Sequence, residues 1–256
     1  MKTETGFHAH GLGLGGGQFE ALARGVDFED VTSGRVGNQL VDVGELGVPL
    51  VRTTTQYTRP AHRFSGAHRE VAEAIRRVAG EALSFDNALI EIYDRAYFKM
   101  GYHSDQALDL APGSHIALYS CYERPDSRAS LRTLEVKDKA TGEQTSIVLE
   151  HDSVVWFSLE TNTRYAHKIV LDPVPSPRSP EPDNRWLGLT LRKSRTHVRF
   201  DDGLPRFADG APLVLADEAQ RKAFYRLRGQ ENRSMEFTYP RLDYTISAAD
   251  MLAPVG

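Results

Sequence analysis

From His115 to Phe200 the chain passes through one strand-like stretch after another, with turns and no helix between them. That succession limits the fold more than any other feature. The stretches are His115–Tyr122 (HIALYSCY), Ser130–Lys137, Gln144–Leu149, Ser153–Leu159, Ala166–Leu171 and a long Trp186–Phe200, with Ala88–Tyr93 (ALIEIY) ahead of them. They are rich in β-branched and aromatic residues, and turn chemistry such as Lys139–Gly142 (KATG) and Glu160–Asn162 separates them. Strands linked by short turns read as an antiparallel sandwich or a jelly-roll barrel. The fold class expected is therefore mainly β with flanking helices, α+β. Between Pro173 and Asn184 five prolines prevent pairing in a central strand, so this run is expected as an exposed loop.

Two helices flank the strands. Ser65–Gly80 carries Val71, Ala74, Ile75 and Val78 at helical spacing with Gly80 as its stop, and Ala216–Gly229 follows a Pro/Gly-rich connector. Residues 1–17 are glycine-rich and lack the Lys-Ser/Thr of a nucleotide loop, so a flexible terminus is expected there. The rest, 18–256, reads as a single domain with its core at about 51–200 and a C-terminal appendage at 201–256.

Composition narrows the class. With 40% hydrophobic and 26% charged residues the 256-residue chain is not disordered. A net charge of -4, from 31 Lys+Arg against 35 Asp+Glu, disfavours polymeric nucleic acid as the partner, because phosphate binding draws on clustered cations. The one cysteine, Cys121, excludes a disulfide framework and a cysteine-based zinc site. There is no apolar run of membrane-spanning length and no signal-peptide core, so a cytoplasmic protein without membrane contact is expected.

The chemistry concentrates in YDRAYFKMGYHSD, Tyr93–Asp105. In a strand, His103 and Asp105 would project to one side and could take adjacent positions on one metal ion. A second imidazole would complete a 2-His-1-carboxylate face, which suits non-haem Fe(II) and leaves open positions. A bare His-x-Asp also fits a surface salt bridge. His167, in the strand-like TRYAHKIVL, is the candidate third ligand. Arg192, Ser194 and Thr196 alternate on one face of the last long strand. A guanidinium fork and a hydroxyl there could clamp the far carboxylate of a 2-oxo acid.

Over about Val51–Phe200 the sequence resembles the AlkB-like Fe(II)/2-oxoglutarate dioxygenases. The resemblance runs through Thr53–Tyr57 (TTTQY), Phe64–Gly66 (FSG), ALIEIYDRAYFKMGYHSD, LAPGSHIALYS, DSVVWFSLETNTRYAHKI and LGLTLRKS. It implies a double-stranded β-helix, the jelly-roll fold, with iron held by His103, Asp105 and His167, 2-oxoglutarate beside it as co-substrate and O2 as oxidant. It also implies that Tyr93 hydrogen-bonds the co-substrate. Tyr57, Arg59, Arg63 and Phe64 fall where the family has its nucleotide-recognition lid, and an ordinary solvated loop fits them as well.

Three departures stand out. Glu91 replaces the usual Asn two residues before Tyr93. The family's last strand carries two arginines six apart. Aligning LTLR puts Trp186 in place of the earlier one, whereas aligning Arg192-x-Ser194-x-Thr196 makes Arg192 itself the far-carboxylate grip. The second register is preferred because its three polar groups share a face, with Arg185 and Arg199 in reserve. Finally, Ala107 stands where repair enzymes have a base-reading acid, with Gln106 and Asp109 the polar groups nearby.

The function expected is hydroxylation of an unactivated C–H bond in a small molecule, such as a nucleoside or nucleotide in a biosynthetic pathway. The alternatives are AlkB-type demethylation of alkylated DNA or RNA bases and a non-catalytic jelly-roll binding module.

Overall fold

The computed structural model describes residues 5–80, 83–127, 131–171 and 183–256. Eight strands make the main sheet. Seven lie in the order His8–Gly11, Ser153–Ser158, His115–Tyr122, Trp186–Arg192, Asn87–Tyr93, Arg35–Val41 and Glu29–Thr32, each antiparallel to its neighbours. The short His62–Arg63 strand runs parallel to Arg35–Val41. A second sheet pairs Tyr165–Leu171 with Arg132–Asp138, and that strand with Gln144–Val148. A third joins Leu204–Phe207, Thr196–Asp201 and Val48–Leu50.

Side-chain alternation explains why the main sheet is covered on both faces. Ala88, Ile90, Ile92, Leu187 and Leu189 pack outward against Val71 and Ile75 of the helix Gly66–Ala79 and against Phe19 and Leu22 of a short helix, Gln18–Ala23. Tyr93, Ile116, Leu118, Phe157 and Trp186 face inward against Leu134, Val136 and Ile169 of the second sheet. Two facing antiparallel sheets with helices outside make a jelly roll. Every residue of Asn87–Tyr93 is buried as a result, Glu91 included.

Gly66–Ala79 starts where the sequence places it. The Ser65 side chain accepts from the His68 amide and the His68 ring accepts from the Ser65 amide, a capping box that contributes about 1 kcal/mol. Asp217 and Gln220 close the same motif on the second helix, which runs Glu218–Arg233 and so extends past its expected end.

Elsewhere the structure departs from expectation. Trp186–Phe200 is not one strand. It breaks after Arg192 because the Ser194 hydroxyl bonds the carbonyls of Leu50, Asp109 and Thr196, which turns the chain into the third sheet. The turn at Glu160–Asn162 is a short helix, Leu159–Arg164, capped by Ser158. The glycine-rich terminus carries the edge strand His8–Gly11, anchored by the fully buried Phe7 against Phe157 at 4.6 Å. Most of the proline-rich run Pro173–Asn184 lies outside the described residues.

Candidate active site

His103, Asp105 and His167 come together inside the jelly roll, their ligand atoms all within 4.8 Å of one another; among the described residues no other His/Cys/Asp/Glu group does so. They line a cavity walled by both sheets, with Leu89, Glu91, Tyr93, Ile116, Leu118, Thr190 and Arg192 from the main sheet and Leu134 and Ile169 from the second.

His167 stands mid-strand, opposite Val136. His103 and Asp105 do not share a strand face as expected, because their segment is irregular. It meets the strand Tyr165–Leu171 where the His103 and His167 backbones exchange hydrogen bonds of 2.9 and 2.7 Å and where the Ser104 hydroxyl donates to the Tyr165 carbonyl at 2.9 Å. Side chains fasten it instead. Asn162 of the short helix accepts from the Asp105 amide and donates to the Asp105 carbonyl, both at 2.8 Å. Asn232 accepts from the Ser104 amide at 3.0 Å, Glu231 accepts from the Ala107 amide at 2.8 Å, and Arg228 donates to the Ser104 carbonyl. These last three lie on one face of the helix Glu218–Arg233, at spacings of three and four.

The electrostatics suit a cation. His103 Nδ1 lies 3.0 Å from the Gly101 carbonyl, so Nδ1–H donates to it and Nε2 keeps the free lone pair. His167 Nδ1 is buried without a partner among the described residues. Desolvation lowers both imidazole pKa values, that of His167 to about 3, so both rings are neutral and able to ligate. For Asp105, burial alone would raise the pKa, but the cationic Arg192 beside it holds it below its ordinary value. Arg192 Nη2 is 3.5 Å from Asp105, and Arg192 Nε and Nη1, both buried, have no partner among the described residues. Two neutral imidazoles, one carboxylate and an unsatisfied guanidinium therefore fit a divalent first-row metal with an anionic ligand beside it.

The other residues singled out in the sequence fare unevenly. Tyr93 lines the cavity, and its hydroxyl donates to Glu91 at 2.7 Å. Ser194 does not join Arg192, because the strand break commits its hydroxyl to carbonyls. Arg185 sits outside the cavity, paired with Glu123. Arg199 also points away, bonding the Glu45 carbonyl. Phe64 belongs to the core on the outer face of the sheet, while Arg59 and Arg63 are exposed. Tyr57 is fully buried with its hydroxyl unpartnered among the described residues. None of these four lines the cavity, whereas Thr53, Thr54 and Thr55, just ahead of them in the chain, do. Asp109 is spent on Arg52 in a buried ion pair at 2.7 Å, and Gln106 does line the cavity.

Sequence reasoning missed Asn162, Arg228, Glu231, Asn232 and Arg35. Arg228, Glu231 and Asn232 left one signal, polar residues at spacings of three and four just past the apolar Phe224 and Leu227 of the same helix. Arg35 left none, since only strand register brings it to the site.

The 2OG-Fe(II) oxygenase superfamily matches residues 39–192, more than half of the chain. No curated protein matches the sequence significantly. Among solved structures, "The structure of OsALKBH1" is 16% identical over 75% of this chain and 100% of that one, with a TM-score of 0.47. A Pseudomonas putida prolyl-4-hydroxylase is 13% identical over 73% of this chain and 93% of that one, with a TM-score of 0.42. The family match and the His/Asp/His cavity lead to one conclusion: the chain belongs to the 2OG-Fe(II) oxygenase superfamily and is an oxygenase that depends on Fe(II), 2-oxoglutarate and O2.

Proposed function

We propose that this oxygenase hydroxylates a small molecule, a nucleoside or nucleotide, in the cytoplasm, and that it is AlkB-like in its architecture. His103, Asp105 and His167 hold the iron, and the Gly101 carbonyl and the Asn162 amide orient the first two. Bound iron with 2-oxoglutarate and O2 supplies the oxidising power that puts oxygen into an unactivated C–H bond. The chain contributes geometry and electrostatics. Arg192 keeps Asp105 ionised and offers two unsatisfied guanidinium nitrogens to an anion, while the apolar wall of Leu89, Ile116, Leu118 and Ile169 excludes water.

One observation supports the small-substrate reading. Among the described residues the cavity lining has two carboxylates, Asp105 and Glu91, and an arginine faces each of them. Ala107 has no acid to offer, and Asp109 is committed to Arg52. A cationic alkylated base therefore meets no free carboxylate. Thr53–Thr55 and Gln106 instead offer neutral hydrogen-bonding groups to an uncharged base or sugar.

The test is succinate release over a panel of nucleosides, nucleotides, amino acids and methylated oligonucleotides. Stimulation by a nucleoside or nucleotide is expected. Stimulation by methylated oligonucleotides alone, with formaldehyde released, would replace this reading with base demethylation.

A further inference from the structure

Arg35, Tyr93, Trp186 and Tyr122 stand in one row across four neighbouring strands, each in register with the next. Arg192, at the other end of its strand, is opposite Asn87. Six residues of strand separate the Arg192 position from the row, about 20 Å at the usual rise. Arg35 and Arg192 thus enter the same cavity from opposite ends.

Arg192 lies beside Asp105, at the end with the His/Asp/His group. Arg228 is also at that end, its guanidinium committed to Glu231 and the Ser104 carbonyl. A 2-oxo dicarboxylate held there by its oxo-acid end needs a second cation at the far end. Strand Trp186–Arg192 cannot supply one in that row, because the Trp186 indole folds back over Gly188. A Cβ on Gly188 would stand 2.1 Å from the ring. The indole Nε1 is buried and has no partner among the described residues.

We propose that Arg35, from the strand Arg35–Val41, is the far-end carboxylate anchor of the co-substrate, and that Glu91 is an internal carboxylate occupying it. This rests on the 2-oxoglutarate dependence of the family. Arg35 Nε donates to Glu91 Oε1 at 2.9 Å and its Nη2 donates to the same oxygen. The Tyr93 hydroxyl donates to the other carboxylate oxygen. A guanidinium fork and a phenol converging on one carboxylate are the donors a ligand carboxylate would use. Among the described residues the Arg35 Nη1 edge bonds only the Tyr97 hydroxyl, at 3.5 Å, and stays available to an incoming ligand. Glu91 opposes that ligand by like charge, so neutralising it strengthens binding.

The test compares 2-oxoglutarate with 2-oxopentanoate, which lacks only the far carboxylate, in equilibrium binding to Mn(II)-loaded protein without turnover. E91Q is expected to bind 2-oxoglutarate more tightly than wild type while preserving its preference over 2-oxopentanoate. The R35Q/E91Q double variant leaves no unpaired ion buried and differs from E91Q only at the anchor. Its preference should fall by about tenfold or more. Thermal melts check that both variants fold. A preference that persists in R35Q/E91Q, or one that disappears in R192Q alone, would overturn the assignment. Failure of wild type to bind either acid would instead overturn the reading on which it rests.

Discussion

The two halves of the His/Asp/His group are held in different ways. His167 belongs to a seven-residue strand whose whole length pairs with Arg132–Asp138, so ladder bonds on both sides of it set its position redundantly. His103 and Asp105 lie in a segment without a ladder. Asn162, Arg228, Glu231 and Asn232, from two helices remote in sequence, fix it bond by bond. Losing one ladder bond leaves the rest of a strand in place, whereas losing one of these side chains leaves a buried backbone group unpaired, at about 1–3 kcal/mol. The strand ligand should therefore tolerate changes around it better than the loop ligands do.

The largest effect tests the ligands themselves. His103→Ala and His167→Ala should each abolish tight binding of Mn(II) or Co(II), read by titration calorimetry. Retention of wild-type affinity in either would remove that residue from the metal site. Next comes Asn162→Ala, which frees both the amide and the carbonyl of Asp105. A loss of roughly 10–100-fold in metal affinity is expected, the range typical of residues that orient ligands. Asn232→Ala removes one bond, and its effect should be smaller, roughly threefold to tenfold. Hydrogen exchange at the Ser104 amide should accelerate in that variant while Tyr165–Leu171 stays protected. Equal acceleration in both places would break the distinction between ladder and clamp.

The same contrast explains what could be read from the sequence. Strands with local periodicity were legible, from His115–Tyr122 to Tyr165–Leu171, and so was the helix Gly66–Ala79 with its Gly80 stop. The three candidate ligands were legible through the order of motifs that resembles the AlkB-like dioxygenases, since a bare His-x-Asp also fits a surface salt bridge. What holds them was not. Asn162 sits in a six-residue helix that reads as a turn, and the clamp residues act on backbone more than a hundred positions away. Ser194 misled for a related reason: period-two alternation continues through it, but its hydroxyl meets the Leu50 and Asp109 carbonyls, and tertiary contact ended the strand. Arg35 reaches the cavity through a pairing of Arg35–Val41 with Asn87–Tyr93 that no local spacing announces.

The smallest effect concerns pH. Desolvation puts the His167 pKa at about 3 and lowers that of His103, so in the folded protein neither ring competes with metal by taking up a proton near neutrality. Metal affinity of the folded protein should change by less than about threefold between roughly pH 7.5 and 5.5, whereas two imidazole ligands titrating at the ordinary 6.5 would lose about tenfold each, about a hundredfold together. The protons appear in stability instead. The unfolded chain's imidazoles charge near 6.5 while the folded ones stay neutral, so the unfolded state binds more protons below that pH. The contribution of His103 and His167 to the metal-free fold is thus complete above about pH 6.5 and is lost progressively as pH falls towards 3. Mn(II) titrations and urea melts at both pH values separate the two. A tenfold fall in affinity with no change in stability would show that the rings take up protons in place, and that burial does not hold the strand and loop imidazoles neutral.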